Sequence, residues 1–272
     1  MKIIEIIGPP CSGKTYLRNF LKDELKKKGI KTHTYFSIFF KYIFKEKKLS
    51  IIDVITLYYF KYFKLKKENK NILIKSKKKR STNKYFLKNP LSSFLYKNYY
   101  KICEKLTKEH ISNFQKKLFS KIRLNKKINN NNRNAYLWFI EIYAFLNIIK
   151  KYNKNDDIIL DDEGIFQKLF IFSEIKFEYK FIKNYMQFAN IVNLLLHMNS
   201  GKKDIIQRSN ERKLTNKFSY KNKLQLNKII NFDKKIIRHL KKNRNLQIKE
   251  IYSKNKYQTI NRLILSFLKK NN

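Results

Sequence analysis

Apolar and polar positions change their period several times along the chain, and each change marks an element. "KIIEII" (2–7) is a short β-branched run and reads as a buried strand. Over 14–28, "KTYLRNFLKDELKKK", the residues Leu17, Phe20, Leu21 and Leu25 fall on one helical face, and Gly29 supplies a stop. "KTHTYF" (31–36) reads as a second strand. From about 37 to 155 no strand pattern stands out. Aromatic-rich, Lys-faced helical patterns fill that segment, with breaks near Asn69, Pro90 and the "NNNN" run at 129–132. The sharpest helix there is "NAYLWFIEIYAFLNIIKKY" (134–152). Strand signals return at "DIILDD" (157–162), "NIVNLLLHM" (190–198) and "NLQIKEIYS" (245–253), separated by helical patterns and followed by "TINRLILSFLKK" (259–270).

Strands alternating with helices predict an α/β protein whose parallel sheet is covered on both faces. The length of 272 residues suits a single domain, 1–272, carrying a helical insertion at about 37–155. No internal repeat is present.

Composition changes this picture in one respect. The chain has 63 Lys and Arg against 20 Asp and Glu, a formal charge of +43, which would ordinarily point to nucleic acid or an anionic membrane. Lysine, however, runs through almost every segment, and the abundance of Lys, Asn, Ile, Tyr and Phe follows A/T-rich codons. The charge alone therefore does not favour nucleic acid as the partner. Two cysteines, Cys11 and Cys103, are too few for a secreted disulfide framework, and the 4 histidines form no metal-ligand spacing with them. The amino terminus has too short an apolar run for a signal peptide, and no stretch approaches the roughly 20 apolar residues of a membrane span. A cytoplasmic protein is expected.

In a chain with only 5 Gly and 3 Pro, "GPPCSGKT" (8–15) holds two of each. It fits G-x-x-x-x-G-K-[ST] and lies between a predicted strand and a predicted helix, the setting of a phosphate-binding loop. The glycines let the backbone curl around phosphate oxygens, and the helix N-terminus adds positive potential. Lys14 would reach the β- and γ-phosphates and Thr15 would ligate Mg²⁺. Cys11 is not set up as a phosphatase-type nucleophile: that chemistry wants an Arg six residues on, where Leu17 stands, with Arg18 one residue late. It reads as a small residue tolerated in the loop.

The acidic residues Asp156, Asp157, Asp161, Asp162 and Glu163 crowd together in an otherwise basic chain. An apolar strand ending in "DDEG" would bring a carboxylate to the edge that holds the phosphate loop, where it would support Mg²⁺. Asp162 is the first choice for that role and Asp161 the second, while Glu163 could accept the proton of an attacking hydroxyl. After the fourth strand, "NSGKKDIIQRSNERK" (199–213) places Arg208 and Arg212 four apart, on one helical face. Arginine is scarce here, and its planar fork suits phosphoryl oxygens. The segment 199–216 reads as an Arg-bearing lid.

Together, "GPPCSGKT", "IILDDEG" and "QRSNER" make the chain resemble the nucleoside and nucleotide kinases among P-loop NTPases, the thymidylate kinase-like group. The resemblance implies a three-layer fold with a five-stranded parallel sheet, and transfer of the γ-phosphoryl group of ATP with Mg²⁺. It implies that Gly8, Pro9, Pro10, Cys11, Ser12, Gly13, Lys14 and Thr15 bind ATP. Thr15, Asp162 and Asp161 would serve the metal, and Lys14, Asp162, Glu163, Arg208 and Arg212 the transfer. Two departures stand out. Thymidylate kinases carry Asp-Arg where this chain has Asp162-Glu163, and Arg-Glu-Pro-Gly where it has "YFSIFFKY" (35–42). Both lost arginines would grip the acceptor's phosphate, which leaves nucleoside, nucleotide and sugar-like acceptors open. The alternative function is a P-loop NTPase switch or nucleic-acid-associated ATPase, with "KSKKKRSTNK" (75–84) as its polyanion footprint.

Overall fold

The computed structural model describes residues 1–70, 90–108, 120, 135–152, 158–172, 191–215, 223–242, 246–252 and 257–270. The β-branched run at the start forms β1 (Lys2–Ile7), in which Ile3, Ile4, Ile6 and Ile7 are all buried. A strand apolar on both faces needs cover on both, and that requirement organises the rest. β1 is followed by α1 (Lys14–Lys27), β2 (Thr32–His33) and α2 (Tyr35–Tyr42). Next come α3 (Ile51–Lys70), α4 (Pro90–Lys108) and α5 (Ala135–Lys151), then β3 (Ile158–Asp161) and the short α6 (Ile165–Lys168), which runs on into a 3₁₀ turn (Leu169–Phe172). The chain continues with β4 (Leu194–Asn199), α7 (Lys202–Thr215), α8 (Lys223–Leu240), β5 (Gln247–Tyr252) and α9 (Tyr257–Lys270).

The five strands form one all-parallel sheet in the order β2-β3-β1-β4-β5. Glu5 of β1 is in register with Asp161 of β3 and Leu195 of β4, so the carboxyl ends of the three central strands reach one edge together. On one face Ile4, Ile6, Leu160, Leu194, Leu196 and Ile251 pack with Leu17, Leu21 and Leu25 of α1 and with Ile260, Ile264, Phe267 and Leu268 of α9. On the other face the residues in alternate register, Glu5 and His197, hydrogen bond to the start of α6 and to Asp233 of α8. The result is three layers of helix, sheet and helix. α1 leaves β1 on one face, while the chain leaving β4 returns through α8 on the opposite one. This reversal makes the end of β1 a topological switch point, the place where ligands bind in open α/β sheets.

The structure differs from the sequence expectation at the second strand, which stops at His33 instead of running to Phe36. The Tyr35 amide donates to the Asp161 carboxylate at 2.9 Å, so it has no ladder bond to give, and α2 starts at that residue.

The chain divides into two compact units. The first takes in Met1–Tyr35, Asn130–Asn132 and Lys154–Asn272 and contains the whole sheet; the second takes in Phe36–Asn129 and Arg133–Asn153. Among the described residues the regular structure of the second unit is all helical. α5 is buried nearly all round, from Phe139 to Ile149, as its apolar sequence requires. Aromatic contacts knit the unit: Phe39 meets Phe145 at 4.7 Å between ring centroids, and Phe60 stacks on Tyr99 at 4.3 Å. Ser50 and Asp53 cap α3 reciprocally, each side chain accepting the other's amide. Among the described residues no helix is long and apolar enough to cross a membrane.

Candidate active site

Between the end of β1 and the start of α1 the backbone turns sharply. Gly8, Cys11 and Gly13 take φ of 155°, 66° and 97°. A Cβ on Gly8 would lie 2.9 Å from the Met198 carbonyl, and one on Gly13 would lie 3.3 Å from Arg208 Nη1. The glycines thus let the loop backbone lie directly against β4 and beneath α7. Cys11 holds a left-handed conformation that costs about 1 kcal/mol or more, and its buried side chain packs with Ile205 and Leu226. Its part in the loop is packing.

The loop is closed by its own polar atoms. The Ser12 amide donates to the Pro9 carbonyl at 3.2 Å. The Lys14 ammonium folds back over the loop and donates to the carbonyls of Gly8 at 2.8 Å and Pro9 at 2.9 Å. The Gly8 amide donates to Gln167 Oε1 at 3.3 Å. α1 begins at Lys14, and helix geometry leaves the first-turn N–H groups without partners inside the helix, with the positive end of the dipole at the loop.

Three further elements deliver side chains to this loop. From the turn after β3, Asp162 is buried and accepts from Thr15 Oγ1 at 2.6 Å and from Arg18 Nη1 at 2.7 Å. From the loop after β4, Ser200 Oγ donates to the Ser12 carbonyl at 2.8 Å. From α7, Arg208 Nη1 donates to the same carbonyl at 3.0 Å. Lys14, Thr15, Asp162 and Arg208 therefore meet at one loop, although they come from parts of the chain as far apart as 14 and 208. Asp161 is turned inward. Its two oxygens accept the amides of Tyr35 and Glu163, so it shapes the turn while Asp162 faces Thr15. Glu163 is exposed on that turn. The side chain of Arg212 and the run at 75–84 lie outside the described residues, although the backbone of Arg212 belongs to α7.

Beneath the turn lies a residue that motif reasoning passes over. Glu5 is fully buried, and its carboxyl accepts from the Tyr35 hydroxyl at 2.6 Å and the amides of Ile165 at 2.8 Å and Phe166 at 3.0 Å. Burial pushes its pKa up from 4.5 to about 7 against those three donors. Burial, with Asp162 next to it, likewise raises Asp161 from 3.8 to about 6, opposed by its two amide donors and Arg18. Gly164 has no room for a side chain, since a Cβ there would sit 2.2 Å from Glu5 Oε1. Glu5 was legible as the one acidic residue in an apolar strand. Arg18 was legible from helix geometry, lying three residues after Thr15 and so on its face.

Thr15 and Asp162 offer hard oxygen donors that suit Mg²⁺, an ion that binds through one or two carboxylates plus substrate phosphates and water. Among the described residues no group of three or more His, Cys, Asp or Glu forms a metal cage. No protein-family model matches the chain, and no curated protein matches it in sequence.

Proposed function

We propose that the chain is an ATP- and Mg²⁺-dependent phosphotransferase with a P-loop NTPase fold, a small-molecule kinase acting on a hydroxyl or phosphate acceptor of nucleoside, nucleotide or sugar-like type. The observation that carries this reading is the meeting of Lys14, the Thr15–Asp162 pair and Arg208 around one glycine-bearing loop at the carboxyl edge of a parallel sheet. Phosphoryl transfer asks the protein mainly for positioning and for cations where charge builds up. The loop and the α1 N-terminus would hold the phosphates. Lys14 would exchange its carbonyl partners for phosphate oxygens. Arg208 would swing its guanidinium from the Ser12 carbonyl to the transferred group. Thr15 and Asp162 would hold Mg²⁺, which when bound neutralises charge between the outer phosphates. Glu163, exposed beside them, would accept the acceptor's proton.

Calorimetry with Mg·ATP tests the reading. Lys14→Ala should lose ATP affinity and turnover while keeping the wild-type circular dichroism and a cooperative melt, lowered slightly by the loss of its two loop hydrogen bonds. Unchanged affinity together with retained activity would overturn the loop assignment.

A further inference from the structure

We propose that Arg18 is a positioning residue that acts through Asp162, a built-in cation that keeps this acidic corner from taking up a free divalent ion and reserves it for one arriving with phosphates. The proposal rests on the phosphate-loop reading above and assigns a role that the loop motif itself does not contain.

The geometry supports it at three points. Asp162 is almost closed to solvent, its side chain 4% exposed, and each of its oxygens is engaged: Oδ2 by Thr15 at 2.6 Å and Oδ1 by Arg18 at 2.7 Å. The Arg18 guanidinium is held from its other side as well, since Nε and Nη2 donate to Asn19 Oδ1 at 3.4 and 3.2 Å. Asp161, the only neighbouring carboxylate on β3, has its oxygens committed to the Tyr35 and Glu163 amides and cannot stand in. A divalent ion approaching Asp162 therefore meets a carboxylate whose charge is already neutralised at contact distance. A nucleotide triphosphate brings enough negative charge of its own to outweigh one guanidinium, whereas a bare ion does not. Arg18 and Thr15 lie one turn apart on α1, so one helix face supplies both the residue that would ligate the metal and the one that tempers its partner carboxylate.

Removing a unit charge this close to a divalent site should change its affinity about tenfold or more, even at surface-like permittivity. Mn²⁺ serves as the probe, read by electron paramagnetic resonance on the nucleotide-free full chain. Arg18→Met should bind Mn²⁺ about tenfold or more tightly than wild type. Arg18→Lys, which keeps the charge, should stay close to wild type, and Asp162→Asn placed in the Arg18→Met chain should erase the gain. Arg18→Gln keeps an N–H for Asp162 without the charge and serves if the Met variant fails to fold. Mn²⁺ affinity in a folded neutral variant that equals or falls below wild type would overturn the proposal, as would a gain that survives Asp162→Asn. This arm uses no nucleotide, so the two readings fail separately. Wild type without Mg·ATP affinity would sink the kinase reading whatever Mn²⁺ does, and unchanged Mn²⁺ affinity beside intact Mg·ATP binding would sink the Arg18 proposal alone.

Discussion

Glu5 makes stability depend on pH in a direction opposite to that of most buried, paired carboxylates. Its carboxyl has a folded-state pKa of about 7 against an ordinary 4.5. At about 1.4 kcal/mol per tenfold change in proton affinity, ionising it inside the fold costs on the order of 3 kcal/mol. The folded chain takes up this proton before the unfolded chain does. The stabilisation is therefore full below about pH 4.5 and is lost as pH rises through about 7. Asp161 adds a decline of the same sign, lost as pH rises through about 6. Urea unfolding followed at several values from about pH 5 to about pH 8 reads the sum. Glu5→Gln, which stays neutral, isolates the Glu5 part: the variant should be less stable than wild type at the acid end, where its amide cannot satisfy two backbone donors. That deficit should shrink by on the order of 3 kcal/mol towards the alkaline end. Tyr35→Phe removes the hydroxyl donor at 2.6 Å that favours the ionised form, so its decline should move to higher pH. Parallel stability curves for wild type and Glu5→Gln across this window, or a Tyr35→Phe decline that stays in place, would refute the reasoning.

Two other expectations follow from the same site. Gly164→Ala puts a Cβ 2.2 Å from a carboxyl held by three hydrogen bonds, so it should cost about 3 kcal/mol in denaturant unfolding. Glu5→Ala in the same chain should recover part of that loss, and strictly additive effects would show that the clash is not what keeps this position glycine. Arg208→Lys keeps the charge and loses the fork, and should lower the maximal rate about ten- to a thousand-fold with a smaller change in ATP affinity. A wild-type rate, measured where Lys14→Ala is inactive, would make Arg208 a bystander.

Much of the framework is local and was legible in the sequence. β1 forms over the predicted residues 2–7, and the first helix ends two residues before its Gly29 stop. β3 and β5 form inside their predicted runs, while β4 starts only at Leu194 and passes the end of its run by one residue, Asn199. Hydrophobic period and glycine placement act over a few residues, so a linear reading captures them. The same reading extended the second strand to Phe36, because β-propensity carries no information about a carboxylate from β3 that takes the Tyr35 amide. Sequence also pointed to Lys14, Asp162 and Arg208 by residue type and spacing, without showing that they share one loop. Only the parallel pairing of β1 with β3 and β4 brings their carboxyl ends level and carries residues 162 and 208 to residues 12–15. Which of Asp161 and Asp162 faces Thr15 was likewise tertiary. Successive residues at a strand end point to opposite sides, and the neighbouring amides decide which carboxylate is consumed by structure. Glu5, Arg18 and Gly164 take their roles from contacts across the sheet. For them the sequence determined the chemistry each residue could offer, and the packing of β1 against α1, α6 and the start of α2 decided what that chemistry meets.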